Sequence, residues 1–269
     1  MSLPVRAPDR WNDPETRRCL EDEGHRYNDD ERTQRSRGFV HCVVDSAVSL
    51  AAGSDALKCY ENGVGALNLP LTHAQLGTQS FRSAHPVALE EIAALVRRVT
   101  DRTLRIELPN MFETKAAICR GVGHDLADLV SESVSCDSFP LRVRGTAQCG
   151  HCTSCILRRQ ALKVAGLQKH DSGRGYRHDL HNVHGWHGDD VTFELSVMLD
   201  QARRIGRTLA QRDPWYALSL ELPTLEQTVL ELARWGWNET ETRAAILRLY
   251  EDYCSDWDHF AQRSFGFAA

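Results

Sequence analysis

At 269 residues the chain has room for one large domain or two small ones, and 42% hydrophobic content is enough for a core. A net charge of −5 gives no general pull towards nucleic acid, and no apolar run approaches the roughly 20 residues that span a bilayer. Nine cysteines, an odd number, with no N-terminal apolar signal-like run, argue against a secreted disulfide framework and for a reducing cytoplasm.

Residues 1–34 are polar, charged and poor in aliphatics, which predicts a poorly ordered leader. Phe39 to Ala52 is apolar with small residues and predicts a buried helix. Ala56 to Tyr60 reads as a strand ending at the Glu61-Asn62-Gly63 turn, followed by a Gly- and Pro-bounded segment from Gly63 to Pro70. The loop Gly77 to Pro86, G-T-Q-S-F-R-S-A-H-P, carries Ser80, Arg82 and His85, groups suited to a polar planar or anionic ligand. Pro86 to Thr100 is an amphipathic helix with Val87, Leu89, Ile92, Leu95, Val96 and Val99 as its apolar stripe. Thr103 to Leu108 alternates as a strand does. Thr114 to Val122 and Asp125 to Ser131 read as helices. Alternating helix and strand predicts an α/β layer. Lys115 stands at a helix start, where a cation and free backbone N–H groups suit phosphate. Arg32, Arg35 and Arg37 precede the first helix and could serve the same end.

Then comes the densest signal in the chain. Cys136 is followed by Cys149, Cys152 and Cys155 in C-G-H-C-T-S-C, four thiols able to converge from two loops as tetrahedral zinc requires. The tight C-x2-C-x2-C run also suits an iron–sulfur cluster. Arg142, Arg144, Arg158, Arg159 and Lys163 surround it, either as solvated surface or as a local anion-binding patch. Ser154 to Ala165 predicts a helix leaving the site.

Residues 168–190 form a His-, Gly- and Asp-rich break. His178, His181, His184 and His187 recur at steps of three, which do not share one helical face, and Gly185 and Gly188 favour a solvated linker over a second metal site. Beyond it, Phe193 to Arg212, Leu225 to Trp235 and Glu239 to Phe260 are helical, the last capped by Asn238 or Thr240. Tyr250, Tyr253, Trp257 and Phe260 are spaced as a core stripe. Thus residues 35–167 are expected to be α/β with the metal site, and 191–269 an all-α extension. R-G-V-G-H-D lacks the strand and third glycine of a dinucleotide fingerprint, and there is no Walker A, G-x-S-x-G or H-E-x-x-H pattern.

Ser133 to Arg159, S-V-S-C-(x12)-C-G-H-C-T-S-C-I-L-R-R, resembles the zinc-binding signature of the 7-cyano-7-deazaguanine synthase (QueC) family. L-P-N-M-F-E-T-K-A is similar to that family's T-P-L-x-x-x-x-K-x-E segment, with Lys115 matching its lysine. Q-R-S-R-G-F is similar to its G-R-N-x-x-F segment, with Arg35 and Phe39 matching. Tyr60 to Pro70, Ser80 to Pro86 and the helical C-terminal extension resemble the QueC-like proteins of Qat-type anti-phage defence systems.

The resemblance implies a partial adenine-nucleotide hydrolase-like layer, a structural zinc on Cys136, Cys149, Cys152 and Cys155, and ATP-dependent adenylation of a deazaguanine-type carboxylate. On that footing Lys115, Arg35 and Arg82 are the candidate catalytic cations, and Ser80, His85 and Asn62 the candidate cofactor-binding groups. The family's S-G-G-x-D-S pyrophosphate loop does not occur in these 269 residues. ATP and Mg2+ are therefore expected only if a partner supplies that loop, and a protein partner or second copy is expected to cover the incomplete sheet. The substrate would be a small-molecule carboxylate or a modified macromolecule. A catalytically inactive, partner-binding scaffold is the alternative.

Overall fold

The computed structural model describes residues 37–72, 84–122, 126–136, 148–171, 175–178, 180 and 190–266. Expectations for the 1–34 leader, Arg35, Ser80, Arg82, Arg142, Arg144, His181, His184 and His187 lie outside them. The chain is mostly helical. Helix α1 (Arg37–Ala51) leads into strand β1 (Ala56–Lys58), the short helix α2 (Gly63–Leu67), helix α3 (Pro86–Thr100) and strand β2 (Arg105–Glu107). Helices α4 (Lys115–Arg120), α5 (Leu129–Glu132) and α6 (Thr153–Val164) follow, then a 3-10 turn (Gln168–His170). Four helices complete the chain: α7 (Asp190–Leu209), α8 (Pro214–Glu221), α9 (Pro223–Arg234) and α10 (Glu239–Phe265).

The expected α/β layer is reduced, among the described residues, to two parallel strands with Ala56 opposite Arg105 and Lys58 opposite Glu107. Helices α1 and α3 cover this ribbon through a small core of Leu50, Leu89, Ile92, Val96 and Leu104. Of the stripe expected on α3, Leu89, Ile92 and Val96 are buried, whereas Leu95 and Val99 face solvent, because so small a sheet covers only a narrow strip of helix. Arg102 closes the corner by donating to the Leu50 carbonyl at 2.7 Å.

The larger core joins the C-terminal helices to what precedes them. Ile205 on α7, Leu218 on α8, Val229 on α9, and Ile246, Leu249, Tyr250 and Trp257 on α10 pack with Ala66, Leu67, Met111 and Ile156. The aromatic stripe of α10 is buried, its rings stacked edge to face from Tyr250 through Tyr253 and Trp257 to Phe260. Polar groups fix the joint. Gln201 donates to the carbonyls of Leu69 and Pro70 and accepts from the Tyr253 hydroxyl at 2.9 Å. Helix α8 was not expected from the sequence, although Asp213 caps it and Pro214 opens it. No described helix is long and apolar enough to cross a membrane.

Candidate metal centre

Two loops and a helix start bring the four cysteines together. Cys136 ends the stretch after α5. Gln148 forms an isolated parallel bridge with Tyr176, which sets the strand-like approach of Cys149. Gly150 then turns the chain at φ +86°, and a Cβ there would overlap the His178 carbonyl oxygen. Cys152 is the N-cap of α6, its sulfur accepting the Cys155 N–H at 3.4 Å. Cys155 follows in the first turn, fully buried.

All four sulfurs lie within 4.8 Å of one another, and Cys149 Sγ is 3.8 Å from Cys155 Sγ. A tetrahedron of thiolates about 2.3 Å from one ion has edges of about 3.8 Å. The donor set and spacing therefore fit a single tetrahedral ion such as zinc. A multi-iron cluster would hold its thiolates further apart to make room for bridging sulfides.

Backbone donors are already aimed at the sulfurs. Cys149 N–H points at Cys136 Sγ and Cys152 N–H at Cys149 Sγ, both at 3.3 Å. Such N–H···S contacts favour thiolate, as does the N-terminus of α6 beneath Cys152. Hydrogen bonds from Cys152 and Cys155 hold the Cys149 thiol far below its ordinary value, while the bond to Cys149 pushes Cys155 up. A bound divalent ion is what would let all four sulfurs ionise together.

A second set of side chains locks these loops. Arg158, one turn beyond Cys155, donates to Asp171 Oδ1 at 2.8 Å, to Ser133 Oγ at 2.7 Å and to the Val130 carbonyl at 2.6 Å. Tyr176 donates to the other Asp171 oxygen, and burial, with this bond second, raises its phenol well above the usual range. Arg159 lies over the Tyr176 ring at 4.5 Å and donates to the His178 carbonyl. The Gln148 side chain accepts the Ser135 N–H at 3.0 Å, joining the two cysteine loops. Sequence reasoning grouped Arg158 with a basic surface patch. The structure corrects this: its guanidinium is buried and committed to three acceptors. Its position three residues after Cys155, on the same helical face, was the available signal. Among the described residues His178 joins no metal-ligand set with the cysteines; its ring meets His151 edge to face at 5.1 Å.

The other candidates are dispersed. Lys115 opens α4, a helix of six residues whose N-cap Thr114 takes the Ala117 N–H at 3.0 Å. The same hydroxyl donates to buried Asp256 on α10 at 2.6 Å, and Arg120 reaches the other Asp256 oxygen at 3.1 Å. Asn62 is buried as the N-cap of α2, accepting from Gly65 N–H at 3.1 Å and donating to Glu61. Its segment lies against that of Lys115: Gly63 N–H donates to the Glu113 carbonyl at 2.9 Å, and a Cβ on Gly63 would strike the Met111 carbonyl. His85 is buried before α3, its Nε2 3.3 Å from Thr228 Oγ1 on α9. Asn62 and Lys115 are thus neighbours in the fold, whereas the His85 ring is turned towards the C-terminal helices.

Residues 58–166 match the sequence model of the family described as "Queuosine biosynthesis protein QueC". The match spans less than half of the chain, contains all four cysteines and Lys115, and marks these residues as a QueC-like domain. No curated protein and no solved structure matches the chain.

Proposed function

We propose that the chain is the metal-stapled part of a QueC-like synthase, working in anti-phage defence, that activates a carboxylate of the deazaguanine type with ATP. The observation that supports this most is the coincidence of four converging sulfurs with the matched segment 58–166. Zinc, held by Cys136, Cys149, Cys152 and Cys155, would supply a cross-link between loops and no open coordination position for substrate. The chemistry falls to side chains. Adenylation places negative charge on phosphorus, and Lys115 with Arg35 and Arg82 are the cations assigned to it. ATP and Mg2+ would enter with an S-G-G-x-D-S loop from sequence outside these 269 residues, on this polypeptide or a partner.

A scaffold without turnover is the second reading. It is favoured by Asn62 and His85, two groups expected at the ligand, whose side chains cap α2 and meet Thr228 instead. The two are separated by assaying AMP release from ATP with 7-carboxy-7-deazaguanine, with and without each co-encoded protein. Release that needs one of those proteins and falls at least a hundredfold in Lys115→Ala supports the synthase. No release in any combination leaves the scaffold.

A further inference from the structure

The segment that carries most of the cysteine cluster is a basic island in an acidic chain. Residues 138–178 hold eight of the 32 lysines and arginines but one of the 37 acidic residues, Asp171. Asp171 is spent on buried Arg158 and on the Tyr176 hydroxyl. The segment therefore has no carboxylate left for its other cations. A divalent ion on four thiolates would leave two negative charges, too few to cancel them. Arg142, Arg144 and Arg174 lie outside the described residues, and the surface argued here is built from the others.

The fold draws these cations together. Arg159 and Lys163 stand one turn apart on the same face of α6. Arg263, in the last turn of α10, comes up beside them. Burial lowers the Lys163 ammonium below its ordinary value, and repulsion from Arg263 and then from Arg159 lowers it further. Arg177 is exposed, its N–H bonded to the Gln148 carbonyl at 2.8 Å, next to the Tyr176 ring that Arg159 covers. Among the described residues no carboxylate pairs with Lys163, Arg177 or Arg263. On the C-terminal helices the pattern is different: Arg204 pairs with Glu221, Arg234 with Glu231 and Arg243 with Glu226. A cation in the last turn of a helix is ordinarily explained by the helix dipole. That accounts for Lys163 and Arg263 singly. It does not account for two such ends meeting beside Arg159, where like charges cost stability.

The surrounding surface is polar. Between 133 and 178 the exposed described residues are Ser133, Gly166, Gln168, Lys169, Gly175 and Arg177, with no large apolar side chain among them. A protein partner would need an apolar centre, whereas a nucleic-acid backbone needs cations and hydrogen-bond donors. The overall charge of −5 does not forbid this, because exposed charges further than about 8 Å away are largely screened at physiological salt.

We propose that Arg159, Lys163 and Arg263, with Arg177 beside the metal loop, bind the phosphate backbone of a nucleic acid without reading its sequence. The number of phosphates neutralised then sets the salt dependence of binding. This surface includes none of the cations assigned to the synthase reading and does not depend on that reading.

The test uses the full chain with zinc supplied and fluorescein-labelled DNA and RNA of mixed sequence, about 20 nucleotides long, read by anisotropy from about 50 to 200 mM salt. Binding is expected, alike for unrelated sequences, with log K falling by about 3 per tenfold rise in salt if four phosphates are neutralised. Lys163→Ala and Arg263→Ala should each weaken binding and reduce that slope by about 1. Lys163→Glu with Arg263→Glu should weaken binding about tenfold or more, whereas Arg97→Glu with Arg98→Glu, an equal change of net charge on exposed α3 residues, should weaken it less than about threefold. Metal content equal to the parent's in every variant separates lost contact from lost folding. The proposal is overturned if no oligonucleotide binds at about 50 mM salt, if the slope is unchanged in both alanine variants, or if the α3 reversal weakens binding as much. It is also overturned if poly-glutamate of equal charge displaces the oligonucleotide as well as unlabelled DNA does, which would make an acidic protein the ligand.

Discussion

Arg158→Met removes the guanidinium that joins α6 to the loops on both sides of the metal site. The side chains of Arg158 and Asp171 expose only 6% and 10% of their surface, so this is a buried pair. Methionine keeps most of the stem volume but leaves the buried Asp171 carboxyl with the Tyr176 hydroxyl as its remaining described side-chain partner, and takes one donor from Ser133 Oγ and one from the Val130 carbonyl, which keeps the Ser133 hydroxyl and N–H. Breaking a buried pair by removing one member costs about 3–5 kcal/mol. The retained Tyr176 bond argues for the lower end, about 3 kcal/mol. Urea unfolding at fixed free zinc should show this loss, since bound metal otherwise shifts the midpoint by mass action. Arg158→Met with Asp171→Leu should recover part of it, because no charge is then stranded. A loss below about 1 kcal/mol, the level of an exposed pair, would refute the buried-lock account.

Gly150→Ala must hold φ +86° against the His178 carbonyl and should loosen the site by about 1–3 kcal/mol, read as faster zinc loss to a chelator. Thr114→Val deletes the α4 cap and one of the two side-chain donors to buried Asp256; thermal unfolding should report a loss of about 2 kcal/mol. Burial raises the Glu90 carboxyl above its ordinary value, with the Trp237 bond opposing. The folded state therefore binds this proton more tightly than the unfolded one, and ionisation costs stability as pH rises through the two values. Glu90→Gln should accordingly stabilise the chain at pH 7, with the gain vanishing below the unfolded carboxylate range; an equal gain at pH 3 would contradict this. Cys152→Ser should lower zinc affinity and speed hydrogen exchange together at residues 133–136, 148–155 and 175–178, rather than leave a folded, metal-free site.

Much of this architecture was legible in the sequence because local chemistry agreed with the final fold. Pro86 and the apolar spacing of α3, the alternation in β2 and the cap at Asn238 each carried their own boundary signal. The four cysteines were legible for a similar reason: their spacing alone permits convergence. What failed was information that only packing supplies. The sequence expected Val99 inside, but the small sheet covers too little of α3 to reach it. It could not show that Asn62 caps α2 or that His85 meets Thr228, since polar side chains near glycine and proline look alike whether they cap a helix or hold a substrate. Arg158 was misjudged because burial of an arginine is decided by acceptors distant in the chain, here Asp171, Ser133 and Val130.

The central claim is that Cys136, Cys149, Cys152 and Cys155 form one closed tetrahedral metal site inside the QueC-like segment. X-ray absorption at the zinc edge on the purified chain tests it most directly. The account predicts one zinc per chain with four sulfur neighbours at about 2.3 Å and no nitrogen or oxygen in the shell. A shell containing nitrogen or oxygen, or iron with a short iron–iron vector in place of zinc, would contradict it.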